Sequence, residues 1–130
     1  MRFKFMISTI VLFVLVGMTS LAISENDARI AVAAENAAAD ASISKFAARS
    51  PYFLLFNEQG NLVEALPNPY ARESRRVGPQ VVELLSDKGI HTIIAEEFGA
   101  KMIAALKQKK MAYKPGAGRA ADAVRSVQNP

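Results

Sequence analysis

The sequence predicts one α/β domain with a mixed five-stranded sheet and about three helices, in the order β-β-β-α-β-α-β-α. The stretch from Val77 to Gly99 is typical of a helix followed closely by a buried strand. Gly78-Pro79 predicts the helix start, because proline at the first helical position loses only an N–H that would lack a partner anyway. Gly89 predicts its end, and the β-branched run Ile90 to Ala95 predicts a strand buried on both faces. Two apolar segments on either side of Gly60 predict a β-hairpin.

The elements before this unit follow from composition and turn residues. Arg29 to Ala33 predicts the first strand, and the Ala- and Ser-rich stretch from Glu35 to Ser50 predicts a long loop. Pro51 to Phe56 and Leu62 to Leu66 predict the two strands of the hairpin. A second loop, Tyr70 to Arg76, carries much of the basic charge of this half of the domain.

After the central unit, the pattern predicts one more strand between two helices. Ala100 to Lys109 predicts a helix whose basic C-terminal residues complement the helix dipole. Met111 to Tyr113 predicts a short strand, and Lys114 to Gly118 a turn-rich loop. Arg119 to Val127 predicts the last helix, because its apolar residues recur at helical spacing.

Residues 1–24 predict a secretory signal. Arg2 and Lys4 precede an apolar run from Phe5 to Ile23, and Ala22-Ile23-Ser24 fits the pattern of a cleavage site. An uncleaved membrane anchor is the alternative, because about 20 apolar residues can span a bilayer. On both interpretations we expect residues 25–130 to form a periplasmic or otherwise exported domain.

The composition argues against two classes of function. The formal net charge is +4, and it falls to +2 without Arg2 and Lys4, since 14 basic residues then face 12 acidic ones. This balance lacks the concentrated basic face of a nucleic-acid binder. The chain has no Cys, so neither a disulfide nor ligation by thiolates can occur.

Several short motifs occur in the same order and spacing as in a known family. They are Arg49-Ser-Pro-Tyr-Phe53, Val77-Gly-Pro-Gln-Val-Val82, Leu84-Leu85, Lys88-Gly89-Ile90, Phe98-Gly99 and Gly116-Ala-Gly118. Through them, the chain from about Arg29 to Gln128 resembles the dinitrogenase iron-molybdenum cofactor biosynthesis domain family. The resemblance implies a ribonuclease H-like fold and a nitrogen fixation-related role as a carrier of the nitrogenase cofactor or its precursors.

Three loops depart from the pattern of that family. Its His-Phe-Gly is Phe46-Ala47-Ala48 here, its His- and Gly-rich loop is Arg72 to Arg76, and its Gly-Gly after the fourth strand is Glu96-Glu97. Without Cys, and with His91 as the one imidazole, the chain offers few soft ligands for a metal–sulfur cluster. An iron-molybdenum or other metal–sulfur cofactor is therefore implied by the resemblance alone.

The basic loops predict a site for an anion. Arg49, Arg75 and Arg76 offer guanidinium groups, whose planar fork of donors suits oxyanions. Gly78 adds N–H donors at a helix N-terminus. The resemblance adds the glycines of two further family motifs, namely Gly99, Gly116 and Gly118. A charged exterior that keeps the protein soluble is the alternative, and Glu73 within the basic run favours it.

Carboxylates and the single histidine offer weaker candidates. Glu35, Glu96 and Glu97 follow strands whose carboxyl ends lie side by side in the fold that the resemblance implies, where they could hold a hard cation or remain solvated charges. His91 is either a partly exposed structural residue or a metal ligand. Packing accounts for the positions of Met102 and Met111. Ser42 and Ser44 lack a nearby base, so we expect no catalytic nucleophile.

We therefore expect a non-enzymatic, exported binding or carrier domain whose ligand is an anionic metal complex or an oxyanion. An envelope protein–protein interaction module with a degenerate cofactor site is the alternative. An open cleft lined by guanidinium groups would favour the carrier, and a cleft plugged by Phe46 and Glu96 the interaction module. A hydrolase or nuclease would need three carboxylates within metal-bridging distance, a geometry that we do not expect.

Overall fold

The computed structural model describes residues 27–129, and the predicted signal at residues 1–24 lies outside the described residues. The strands are β1 (Ala28–Ala34), β2 (Tyr52–Asn57), β3 (Leu62–Pro67), β4 (Thr92–Ala95) and β5 (Ala112–Pro115). The helices are α1 (Val77–Asp87), α2 (Ala100–Gln108) and α3 (Ala120–Gln128). The predicted order of elements is confirmed. Within residues 27–129, no helix has the length and apolar composition needed to cross a membrane.

The strands form one mixed sheet in the order β3-β2-β1-β4-β5. β2 pairs antiparallel with β1 and β3, whereas β4 pairs parallel with β1 and β5. In the register of the central strands, Val32 lies between Leu54 and Ile94. Because β1 and β4 are parallel, their carboxyl ends reach the same edge of the sheet, as the family resemblance implies.

Both faces of the sheet are covered, because alternate side chains of a strand point to opposite faces. On one face, Phe53, Ile93 and other apolar residues form a core with the buried sides of α1 and α2. On the other face, Val32 and Leu54 belong to a core that includes Val124 of α3. The central strand β1 therefore contributes to both cores, which explains its run of small and β-branched residues.

The ends of α1 show which local signals were correct. α1 begins at Val77, one residue before the predicted start, and Pro79 lies in its first turn. Gly89 has φ +83°, and its N–H donates to the Ser86 carbonyl while the Ile90 N–H donates to the Leu85 carbonyl. This pair of hydrogen bonds is a Schellman motif, which confirms the helix stop. Because Ile90 completes that cap, β4 begins only at Thr92, later than the sequence predicted.

The long loop from Glu35 to Ser50 is anchored at several points. The Glu35 N–H donates to the Ser42 carbonyl at 3.0 Å, which folds the first half of the loop back on itself. The Ile43 N–H donates to the Gly118 carbonyl at 2.9 Å, which ties the loop to the segment before α3. Ile43 and Ala47 are buried on opposite faces of the sheet. The loop is therefore part of the packed domain, although it forms no helix of its own in the described chain.

Candidate functional site

The main chain of the long loop fills the carboxyl edge between β1 and β4, where the sequence predicted a ligand cleft. The Ser44 N–H donates to the Ala33 carbonyl at 2.8 Å, and the Glu96 N–H donates to the Ser44 carbonyl at 3.2 Å. Ser44 therefore connects the end of β1 to the residue that follows β4. Phe46 is 55% exposed and Glu96 is also exposed, so neither side chain plugs this edge.

The three glutamates at this edge do not converge on a cation. Glu35, Glu96 and Glu97 are all exposed. Within residues 27–129, no group of three or more His, Cys, Asp or Glu side chains is placed to hold a metal ion. The interpretation of these glutamates as solvated loop charges agrees with this arrangement.

A cavity of about 340 Å³ lies where α1 and α2 begin, and we call it the helix cradle. Arg49, Gly78 and Gly99, which are three of the predicted site residues, line it together with Lys101. Helix N-termini carry partial positive charge and N–H groups without partners inside the helix. The helix cradle therefore combines two such ends with the side chains of two cationic residues.

No side chain among residues 27–129 caps either of these two helix ends. Neither α1 nor α2 has an acidic residue in its first turn, and neither has a side-chain cap among residues 27–129. Most helices place Ser, Thr, Asp or Asn at this position to satisfy the first N–H groups. Here the residues are Arg76, with φ 58°, and Gly99. The arrangement leaves the first N–H groups able to donate to an anion.

Gly78 allows the two helix ends to meet. A Cβ atom at Gly78 would lie 2.8 Å from the Met102 Cβ and 3.1 Å from the Met102 Cα. Met102 belongs to the first turn of α2 and is buried, so it cannot move aside easily. Gly99 is different, because nothing lies within 4 Å of the position that its Cβ would take. Gly78 thus has a packing role that the sequence prediction did not include.

Arg49 is held in place by the loop that connects β3 to α1. Its Nη1 donates to the Glu73 carbonyl at 2.7 Å. The buried Asn68 side chain donates to the carbonyls of Ala48 and Ser50, both at 2.9 Å, and accepts from the Tyr70 N–H at 3.0 Å. Asn68 thereby fixes the segment on both sides of Arg49. The sequence prediction missed Asn68, although an Asn between two prolines is a signal of a structured turn.

The other predicted site residues lie elsewhere. Arg76 lines a groove of about 400 Å³ between α1 and α2, which shares Lys101 with the helix cradle. Arg75 is exposed and lines neither of these two described cavities. Gly116 lines a separate cavity with Glu96, and the carbonyl of Gly118 accepts from Ile43. The helix cradle thus contains three of the seven predicted residues, and a role of the other four in binding stays a prediction.

His91 and the methionines have structural surroundings. His91 Nε2 lies 3.0 Å from Glu58 Oε1, and its Nδ1 lies 2.9 Å from Thr92 Oγ1. The His91 side chain is half exposed. Met102 and Met111 are buried in the core beneath α1 and α2, which confirms that packing explains their positions.

The model of the family described as dinitrogenase iron-molybdenum cofactor matches residues 28–129. Among solved structures, the apo form of the orange protein from Desulfovibrio gigas is similar with a TM-score of 0.71 and 19% identity, over 80% of this chain and 89% of that one. A putative NifB protein from Thermotoga, of the DUF35 family, is similar with a TM-score of 0.65 and 27% identity, over 77% of this chain and 86% of that one. No curated protein sequence matches the chain.

Proposed function

We infer the function from one premise: the chain belongs to the dinitrogenase iron-molybdenum cofactor family. The family and the structural neighbours suggest a cofactor-binding or carrier domain. We propose that its cargo is an anionic metal complex or an oxyanion, and that the protein binds and releases this cargo without catalysing a reaction.

The helix cradle is the observation that supports this proposal. The cavity is surrounded by two uncapped helix ends and by two cationic residues, Arg49 and Lys101. A ligand in the cavity therefore meets positive charge from several directions. Its volume of about 340 Å³ is in the range of ordinary small-molecule sites, about 300–1,000 Å³. Arg49 can bind a ligand edge in bidentate fashion, because its guanidinium keeps donors beyond the one used on Glu73.

The sequence has no cysteine, and this agrees with a cargo that is held by charge and by hydrogen bonds. A thiolate would bond directly to a soft metal and would hold it tightly. Hydrogen bonds from N–H groups and guanidinium donors leave the metal centre unchanged, and each contributes only about 1.5–3 kcal/mol. Such binding suits a carrier, which must also release what it binds.

The helix cradle supports a carrier rather than an interaction module, although it is not the cleft at which the two functions were predicted to differ. That cleft, at the carboxyl edge, is closed by main chain and not by Phe46 and Glu96, so it meets neither of the two predicted outcomes. The carboxyl edge between β1 and β4 is filled by main chain, whereas the cavity at the helix ends is open and lined by a guanidinium group.

We also propose that the protein acts outside the cytoplasm. The proposal rests on the charged start, apolar run and cleavage pattern of residues 1–24. It implies that the cargo is bound in the periplasm or an equivalent exported location.

Replacing the two cationic residues of the helix cradle should weaken cargo binding. We expect Arg49→Gln and Lys101→Gln each to lower the affinity for tetrathiomolybdate, a small anionic metal–sulfur complex, by about tenfold. Isothermal titration calorimetry on the full chain measures this, with molybdate as a second probe. Arg75→Gln is the matched control, because it removes the same charge from an exposed position outside the cavity. Equal affinity in all three variants would refute the proposed site.

A further inference from the structure

Ser44 has a buried hydroxyl group without a hydrogen-bond partner among residues 27–129. The residue is 2% exposed, and its backbone N–H and carbonyl already join β1 to the segment after β4. A buried hydroxyl that makes no hydrogen bond costs about 1–3 kcal/mol, so such groups are rare without a functional reason. Ser44 therefore presents a donor in a place where the fold does not use it.

Ser44 lines a cavity of about 200 Å³, which we call the serine pocket. This volume is well above the share of one water molecule, about 30 Å³. It is below the range of about 300–1,000 Å³ that is typical of larger ligands. The serine pocket therefore suits a ligand of only a few heavy atoms.

The charged residues of the serine pocket favour an anion. Lys45 and Arg49 line it together with one carboxylate, Glu35, so the net charge of its lining is positive. Arg49 uses Nη1 on the Glu73 carbonyl and keeps other guanidinium donors. The Lys45 ammonium lies 5.5 Å from the centroid of the Phe46 ring, which is also part of the lining.

We propose that the serine pocket binds a small tetrahedral oxyanion, such as phosphate, sulfate or molybdate. The Ser44 oxygen is enclosed by the protein in the described conformation, so its side chain must rotate about χ1 to turn the hydroxyl into the serine pocket, where it donates to one oxygen of the anion. Arg49 and Lys45 balance the charge of the anion. The serine pocket shares only Arg49 with the helix cradle. This second site goes beyond the proposed carrier function and does not depend on it.

Ser44→Ala tests the proposal by removing the unused donor alone. We expect it to lower the affinity of the full chain for inorganic phosphate by about tenfold, measured by calorimetry at constant ionic strength. The thermal stability of the variant should be equal to that of the wild type or higher, because the lost hydroxyl had no partner in the protein. Unchanged phosphate affinity would overturn the proposal, as would a wild-type protein that binds none of the three oxyanions.

Ser50→Ala is the matched control in the same cavity. Ser50 is also buried, but its hydroxyl already donates to the Ala47 carbonyl at 3.3 Å. Since a hydroxyl has one proton to donate, phosphate affinity should not change in this variant. A loss equal to that of Ser44→Ala would overturn the role assigned to Ser44.

Two further variants distinguish the serine pocket from a cation site and from the helix cradle. Glu35→Gln should raise phosphate affinity about two- to fivefold, because it removes the one carboxylate of the lining. A decrease would overturn the proposal, since the carboxylate would then belong to a cation site. Lys101 lines the helix cradle and not the serine pocket, so Lys101→Gln should weaken the binding of tetrathiomolybdate and of any oxyanion held at the helix cradle. Ser44→Ala should lower phosphate affinity and leave tetrathiomolybdate affinity unchanged, so the two substitutions show separately whether each site fails. Phenyl phosphate separates a free anion from the phosphoryl group of a larger molecule, and either preference supports an oxyanion site.

Discussion

Asn68→Ala is expected to lower the free energy of unfolding by about 2–4 kcal/mol. The substitution removes two hydrogen bonds donated to the Ala48 and Ser50 carbonyls and one accepted from the Tyr70 N–H. These groups lie in a largely buried region, where a polar group without a partner is costly. Urea unfolding of the purified full chain measures the change.

The same substitution should also lower tetrathiomolybdate affinity, because Arg49 lies between the two carbonyls that Asn68 holds. Asn57→Ala is the matched control. Asn57 is also buried, and its Oδ1 accepts from the N–H groups of Gln59 and Asn61 in the hairpin turn. We expect Asn57→Ala to reduce stability but not affinity. If Asn68→Ala unfolded at the wild-type urea concentration, the role assigned to Asn68 would be wrong.

Gly78→Ala is expected to cost about 1–3 kcal/mol of stability. The new Cβ would lie 2.8 Å from the Met102 Cβ and 3.2 Å from the Met102 backbone N, so α1 and α2 must separate to admit it. The higher helix propensity of Ala offsets at most about 1 kcal/mol of this loss of stability. Because the separation moves the two helix ends apart, cargo affinity should fall as well.

Gly99→Ala is the matched control for this prediction. It adds the same methyl group at the start of α2, where nothing lies within 4 Å of the new atom and φ is −70°. Because alanine is a poorer N-cap residue than glycine, we expect a loss of about 0.5–1 kcal/mol, which is smaller than the loss expected for Gly78→Ala. Thermal unfolding measures the melting temperatures of both variants, and we expect the lower one for Gly78→Ala. Equal melting temperatures would contradict the packing role of Gly78.

Much of the fold could be predicted because its signals are local. The hairpin on either side of Gly60, the cap at Gly89 and the buried strand after it are each encoded within a few residues. The pairing of β1 with β4 was expected only because the fold of the resembling family implies it, since the two strands are far apart in sequence. The path of the Glu35–Ser50 loop was not predictable, because its small polar residues carry no periodic pattern and its anchors are distant in sequence.

The candidate site could be predicted only in part. The structure brings Arg49, Gly78 and Gly99 to one cavity, whereas their role in binding a ligand stays a prediction. Lys101 was missed, because a lysine on an amphipathic helix has the same pattern whether it faces solvent or a cavity. Ser44 was considered only as a nucleophile, since its burial without a partner depends on tertiary structure.

The most direct measurement is a map of backbone amide chemical shifts in the full chain during titration with tetrathiomolybdate. The proposed carrier site predicts that the largest changes occur at the starts of α1 and α2, at Gly78 and from Gly99 to Lys101, and that they decrease with added salt. Changes centred instead on Glu96 and Gly116, or the absence of any change at the two helix starts, would contradict it.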